Sequence, residues 1–182
     1  RTELRLVDEQ IERMRLIVTQ LLQFARPHEY AGYVEKVSPA RVLDDCMVLV
    51  SHLLSETQIV VTRQLASTRS ASINRQELQQ VLVNLLVNAI HAMPNGGTLT
   101  LSTCDWEADG VKISVADTGL GLGPDVLADL FQPFVTSKKD GTGLGLWISR
   151  GIVERYGGDI RAQDRLDGTT GAVFSVFLKS EP

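Results

Sequence analysis

Cysteine is scarce in this chain. Cys46 and Cys104 are the only two in 182 residues, too few and too far apart for a disulfide framework or a metal cluster, and they read as two reduced core thiols. There is no dense basic block, and the formal net charge is −4, which argues against nucleic acid as a partner. No uninterrupted apolar run approaches the roughly 20 residues that span a bilayer. The most apolar stretch, Val81 to Ile90, is broken by Asn84 and Asn88. No signal peptide, initiating methionine, internal repeat or low-complexity segment is visible. The chain opens directly into a helical pattern, as expected of a fragment of a longer protein. A Gly-Lys-Ser/Thr triplet is also missing, which excludes the lysine-bearing phosphate loop.

What is present suffices for a core. Hydrophobic residues make up 43% and charged residues 22%, and the length allows one full domain plus an appendage. Leu4, Val7, Ile11, Met14, Val18, Leu21 and Ala25 recur in steps of three and four, the seam of a long helix ended by Pro27. That seam packs either on its own domain or on a partner helix. Residues 28–38 read as a linker into a strand near Val34 to Val37. Ser38 and Pro39 then start a helix that buries Val42, Leu43, Cys46, Val50 and Leu53. Ile59 to Thr62, Ala71 to Ile73, Thr98 to Cys104, Val111 to Ala116, Ile160 to Ala162 and Ala172 to Leu178 read as strands. Asn74 and Glu77 have the spacing of a capping box at the start of another helix, and Pro94-Asn95-Gly96-Gly97 reads as a turn. The pattern predicts an α+β fold, a two-layer α/β sandwich with a mixed sheet covered by helices on one face, preceded by the long N-terminal helix.

Three segments carry chemistry. Asn84 and Asn88 stand four apart on one helix and project from the same face; amide oxygens are hard ligands suited to magnesium. Two helix-interior asparagines bonded to solvent are the bland alternative, costly in so apolar a run. Asp117, at the end of a strand, is followed by Gly119 and Gly121. Its carboxylate can accept from the amine of adenine, where guanine presents a carbonyl, while the glycines permit close approach. Gly141-Thr142-Gly143-Leu144-Gly145 introduces a helix over Leu144 to Tyr156, whose first N–H groups and positive dipole end favour phosphate. Gly123 to Asp140 lies between the glycine runs as a lid, with Pro124 starting a short helix, Leu127, Leu130 and Phe131 packing it down, and Phe134 as an anchor.

In this order, Asn84-Leu85-Leu86-Val87-Asn88-Ala89, Asp117-Thr118-Gly119-Leu120-Gly121 and Gly141-Thr142-Gly143-Leu144-Gly145-Leu146 resemble the ATP-binding domain of sensor histidine kinases, within the gyrase, chaperone, kinase and MutL superfamily of ATPases. Phe131-Gln132-Pro133-Phe134-Val135-Thr136-Ser137-Lys138 is similar to that family's phenylalanine box and lid. Leu21-Leu22-Gln23-Phe24-Ala25-Arg26-Pro27 resembles the end of its dimerisation hairpin, in the nitrogen-sensor-like branch. The resemblance implies three parts: residues 1–27 as the second helix of the dimerisation and phosphotransfer hairpin, 28–38 as linker and first strand, and 39–182 as the ATP-binding catalytic domain. It implies ATP and magnesium as cofactors, with Asn88 as the metal ligand. Asn84 and Lys138 are the implied catalytic residues, both also touching the nucleotide. Asp117, Gly119, Gly121, Gly141, Thr142, Gly143, Leu144 and Gly145 complete the binding set. The bland alternative for Lys138 and Lys139 is a solvated loop pair, and Arg150 and Arg155 read as surface charges.

The reaction implied is transfer of the γ-phosphoryl group to a histidine, for relay to a response regulator. None of His28, His52 and His91 is followed by the run typical of the family's phosphoacceptor. The resemblance implies an acceptor on a helix preceding Arg1, and this fragment is expected to bind Mg-ATP without phosphorylating itself. His91, three residues past Asn88, reads as a ligand contact or an exposed helix position. A homodimer through the N-terminal helix and a cytoplasmic location are further implications. Competing readings are an ATPase or ATP-gated dimerisation clamp of the same superfamily, a serine kinase of the anti-sigma type and a noncatalytic dimerisation module. Hydrolytic relatives typically carry a glutamate where Asn84 stands. An amide cannot accept a proton at neutral pH, so Asn84 favours a kinase.

Overall fold

The computed structural model describes residues 33–136 and 141–181 together with Val18. The helix read over residues 1–27 lies outside the described residues, apart from Val18, which is helical and exposed. His28, Lys138 and Lys139 also lie outside them.

The elements run β1 (Glu35–Val37), α1 (Pro39–Leu49), α2 (Ser51–Ser55), β2 (Ile59–Leu65), β3 (Ala71–Ile73), α3 (Arg75–Ala92), β4 (Gly97–Trp106), β5 (Gly110–Ala116), α4 (Gly123–Asp129), α5 (Gly145–Arg155), β6 (Asp159–Asp164) and β7 (Ala172–Lys179). Five strands form one sheet in the order β2-β4-β5-β7-β6, and β1 pairs with β3 in a separate two-stranded sheet. The chain passes from β2 through β3 and α3 before entering β4, a crossover long enough to make β2 and β4 parallel. The other pairings are antiparallel. The mixed sheet and its helices match the α+β sandwich read from the sequence.

Alternation decides the core. Leu99, Leu101, Val111, Ile113, Val115, Phe174, Val176 and Leu178 are buried, joined by Leu78, Val81, Leu82, Leu85, Leu86 and Ala89 of α3. Helix α3 packs between α1 and α5. On the other face Ser114 and Ser175 stand in register, their hydroxyls 3.0 Å apart.

Several local expectations are corrected. Cys46 is buried, and burial pushes its thiol up to about 12, whereas Cys104 is exposed because β4 turns it to the face opposite Thr103. Leu53 is only half-buried, since the helix breaks at Val50 and re-forms as α2. Ser38 holds the N-cap position of α1 without a side-chain bond. Asn74 caps α3, accepting from the N–H of Gln76 at 3.0 Å and of Glu77 at 3.1 Å. Glu77 does not close a capping box. Its carboxylate pairs with Arg155 at 3.0 Å and accepts from the Tyr156 hydroxyl, fastening the start of α3 to the end of α5. Arg155 is thus not a surface charge, while Arg150 is one, paired with Glu154 at 2.7 Å. Among the described residues no helix is long and apolar enough to cross a membrane.

Candidate functional site

Helices α3 and α5 and the end of β5 converge on the motif residues. Helix α3 is apolar on the side that meets the sheet, so its partly buried Asn84 and Asn88 fall on another side. Asn84 Nδ2 donates to Ser149 Oγ of α5 at 2.9 Å. A Cβ added at Gly145 would stand 2.5 Å from Asn84 Oδ1. The asparagine helix and the second glycine run therefore share one wall, and glycine at 145 is what lets them touch.

Asp117 stands at the carboxyl end of β5, 2% exposed. Its Oδ1 accepts from Gly119 N at 2.8 Å and from Ala172 N at 3.3 Å. Both of these bonds fall on one oxygen, Oδ1. Burial pushes this carboxyl above the ordinary aspartate value, against the pull of the two N–H groups and the charge of Arg165. Arg165 also donates to the Asp117 carbonyl at 3.5 Å. A Cβ at Gly119 would lie 2.4 Å from the carbonyl oxygen of Ala92, at the end of α3, so that glycine lets the Asp117 loop rest on the asparagine helix. Thr118 extends the join, its Oγ1 accepting from Thr98 N at 2.9 Å.

The second glycine run is a tight turn. Gly143 has φ +66, and an added Cβ would lie 2.5 Å from the carbonyl carbon of Phe134. Leu144 N donates to Thr142 Oγ1 at 3.3 Å, and no side chain caps α5. Gly141 is partly buried beside Thr142, while Leu144 is buried. Phe134 differs from expectation: it is 70% exposed and its φ is +65. Its backbone instead meets the second glycine run, donating from N to Gly143 O at 3.0 Å. Leu122, Leu130 and Phe131 pack on the core in the role that was expected of Leu127, Leu130 and Phe131. Arg150 lies over the Phe131 ring, 5.6 Å from its centroid. His91 is exposed on α3, and His52 Nδ1 lies 3.2 Å from Leu49 O, in α2.

Three contributors to this region carry no sequence signal, Ser149, Asp164 and Arg165, and Gly171 is a fourth contributor. Asp164 accepts from Leu122 N at 2.6 Å with Oδ1 and from Gly123 N at 3.3 Å with Oδ2. A Cβ at Gly171 would lie 2.0 Å from Asp117 O, and only its place just before a strand could have marked it.

Residues 73–182 match the family model described as histidine kinase-, DNA gyrase B- and HSP90-like ATPase, and the chain belongs to that family. Within it, this is the ATP-binding catalytic domain found in sensor histidine kinases. It is 34% identical over 175 residues to sensor histidine kinase ZraS of Salmonella typhi, covering 93% of this chain and 36% of that protein. It is 36% identical over 175 residues to the C4-dicarboxylate transport sensor protein DctB of Rhizobium meliloti, covering 95% of this chain and 27% of that protein. The chain thus spans about a third of the length of these relatives. Among solved structures, full-length ShkA in complex with AMPPNP superposes with a TM-score of 0.85 at 26% identity, covering 100% of this chain and 39% of that one. The catalytic domain of histidine kinase ThkA gives 0.75 at 27% identity, covering 83% and 98%.

Proposed function

We propose that this domain binds Mg-ATP between α3, the Asp117 loop and the second glycine run, and supplies the γ-phosphoryl group to a histidine. The observation that carries the reading is the approach of Asn84 to Gly145, which brings the asparagine helix against the second glycine run. The residues suit the nucleotide. A buried carboxylate can accept from adenine, and glycines stand where a Cβ would close the turns. As the resemblance implies, magnesium would rest on the amide oxygen of Asn88, on phosphates and on water, where it would neutralise phosphate charge.

Asp117 selects the base, and Gly119 and Gly121 give the backbone room beside it. Gly141, Thr142, Gly143, Leu144 and Gly145 present N–H groups to the phosphates at the start of α5. Asn84 stands beside them without a proton-accepting atom, so water is not activated and ATP is preserved for transfer. Lys138 neutralises charge on the departing phosphoryl group. In the transfer a bond forms from an imidazole nitrogen to the γ-phosphorus and the bond to the β–γ bridging oxygen breaks. ADP leaves with the electron pair. The phosphohistidine then serves a response regulator, and the intact protein acts as a homodimer.

Calorimetric titration with a non-hydrolysable ATP analogue, with and without magnesium, tests this reading. The chain should bind, and magnesium should tighten binding in the wild type but not in Asn88→Ala. Equal magnesium response in both proteins would remove the metal assignment. No binding by the wild type would remove the nucleotide itself. The hydrolytic alternative is disfavoured by Asn84, and steady-state ATP hydrolysis by the chain would revive it.

A further inference from the structure

Asp164 is the last residue of β6, in register with Ala172 of β7. Ala172 exchanges two bonds with Asp117: its carbonyl accepts from Asp117 N at 2.9 Å, and its N–H donates to Asp117 Oδ1 at 3.3 Å. One transverse row thus crosses three strands, from the base-selecting carboxylate through Ala172 to Asp164. Beyond the row, the Asp164 carboxylate straddles the start of α4, Oδ1 accepting from Leu122 N at 2.6 Å and Oδ2 from Gly123 N at 3.3 Å. Charge-assisted bonds of this kind are about twice as strong as neutral ones. Gly121, at φ +78, makes the approach possible, since a Cβ there would lie 2.8 Å from Asp164 Oδ1.

We infer that Asp164 is a positioning residue for nucleotide binding: it latches the first turn of the segment following the Asp117 loop to the strand row that holds Asp117. The inference rests on the nucleotide reading of the site. Asp164 touches neither base nor phosphate in this role. It acts through Leu122 and Gly123, whose backbone it fixes at the point where the chain leaves Gly121. Leu122 is thereby held against the core. Gly121 accordingly serves the latch as well as the nucleotide.

The test uses the 182-residue chain as wild type, Asp164→Ala and Asp164→Asn, with amide hydrogen exchange and calorimetric binding of a non-hydrolysable ATP analogue with magnesium. Asp164→Ala should speed exchange of the amides of 121–131 while β4, β5 and β7 keep their protection, and should weaken binding about tenfold. Asp164→Asn keeps one acceptor and should fall between. It also provides the measurement if Asp164→Ala does not fold. Wild-type exchange at 121–131 together with wild-type affinity in both variants would overturn the latch. So would faster exchange spread evenly over all strands, which would mark a residue of general stability. If the wild type binds no nucleotide, the functional reading falls, and the exchange at 121–131 still decides whether Asp164 is a latch.

Discussion

Asn84 Nδ2 donates to Ser149 Oγ at 2.9 Å, joining the asparagine helix to the helix that follows the second glycine run. The bond sets which end of the carboxamide faces which neighbour: the nitrogen is engaged by α5, and the oxygen is left beside Gly145. Ser149 is 2% exposed. Ser149→Ala strips an acceptor from a partly buried amide, a change that costs about 1–3 kcal/mol. Urea unfolding should show that loss, and nucleotide affinity should fall with it because Asn84 is free to turn. Unchanged affinity would mean that the orientation of Asn84 is irrelevant to binding.

Gly143→Ala should be damaging for two separable reasons. Positive φ at 143 costs an L-residue about 1–2 kcal/mol, and the new Cβ would meet the backbone of Phe134 and Val135 at 2.5–2.7 Å. The turn must open, so affinity for the ATP analogue should drop by roughly tenfold or more. Gly151→Ala is the control: it lies in the same segment of chain, in α5, and a Cβ there meets nothing within 4 Å. Binding by Gly151→Ala should match the wild type.

Asp117→Asn should separate fold from function. Both backbone N–H bonds fall on Oδ1, and an amide oxygen can keep them. The unfolding midpoint should therefore hold or rise, since the buried carboxylate carries a desolvation cost that the amide avoids. Adenine loses a charged acceptor, and affinity should fall at least about tenfold.

The same carboxyl gives binding a pH dependence. Burial raises its pKa in the free protein, and an adenine amine donating to the carboxylate favours the ionised form. Binding therefore releases a proton in that window, and affinity rises with pH until the raised pKa is passed. On acidification, affinity in the wild type should begin to fall at a higher pH than the ordinary aspartate value of 3.8 would give. Asp117→Asn should lack that limb. For stability the sign is opposite: the folded state holds this proton longer, so ionising Asp117 lowers stability as pH rises through its folded pKa.

Tyr156 provides an alkaline counterpart. Burial, with the hydrogen bond to Glu77, pushes its phenol from 10.0 up to about 12. The folded pKa lies above the unfolded one, so this contribution is complete below pH 10 and is lost as pH rises towards about 12. Tyr156→Phe should cost about 1 kcal/mol at pH 8 and flatten the decline between pH 10 and 12. Chemical denaturation across that range measures both effects. An unaltered alkaline limb would show that ionisation of Tyr156 does not drive the alkaline loss of stability.

What the sequence determined was local and periodic. Asn84 and Asn88 at a four-residue interval, alternation in β4 and β5, Asn74 before Arg75, and the glycines at 119, 121, 143 and 145 follow from backbone geometry, which each short segment carries within itself. From these came the fold class and the candidate residues of the site. What only the tertiary structure decided was pairing across long separations: Ser149 with Asn84, Asp164 with Leu122 and Gly123, Glu77 with Tyr156 and Arg155. Glu77 shows why. Its spacing from Asn74 fits a local capping box, yet a guanidinium 78 positions away and a phenol 79 positions away, at the end of α5, claim its carboxylate. A hydrogen bond is made with whichever donor the packed core brings close, and chain distance carries no record of that choice.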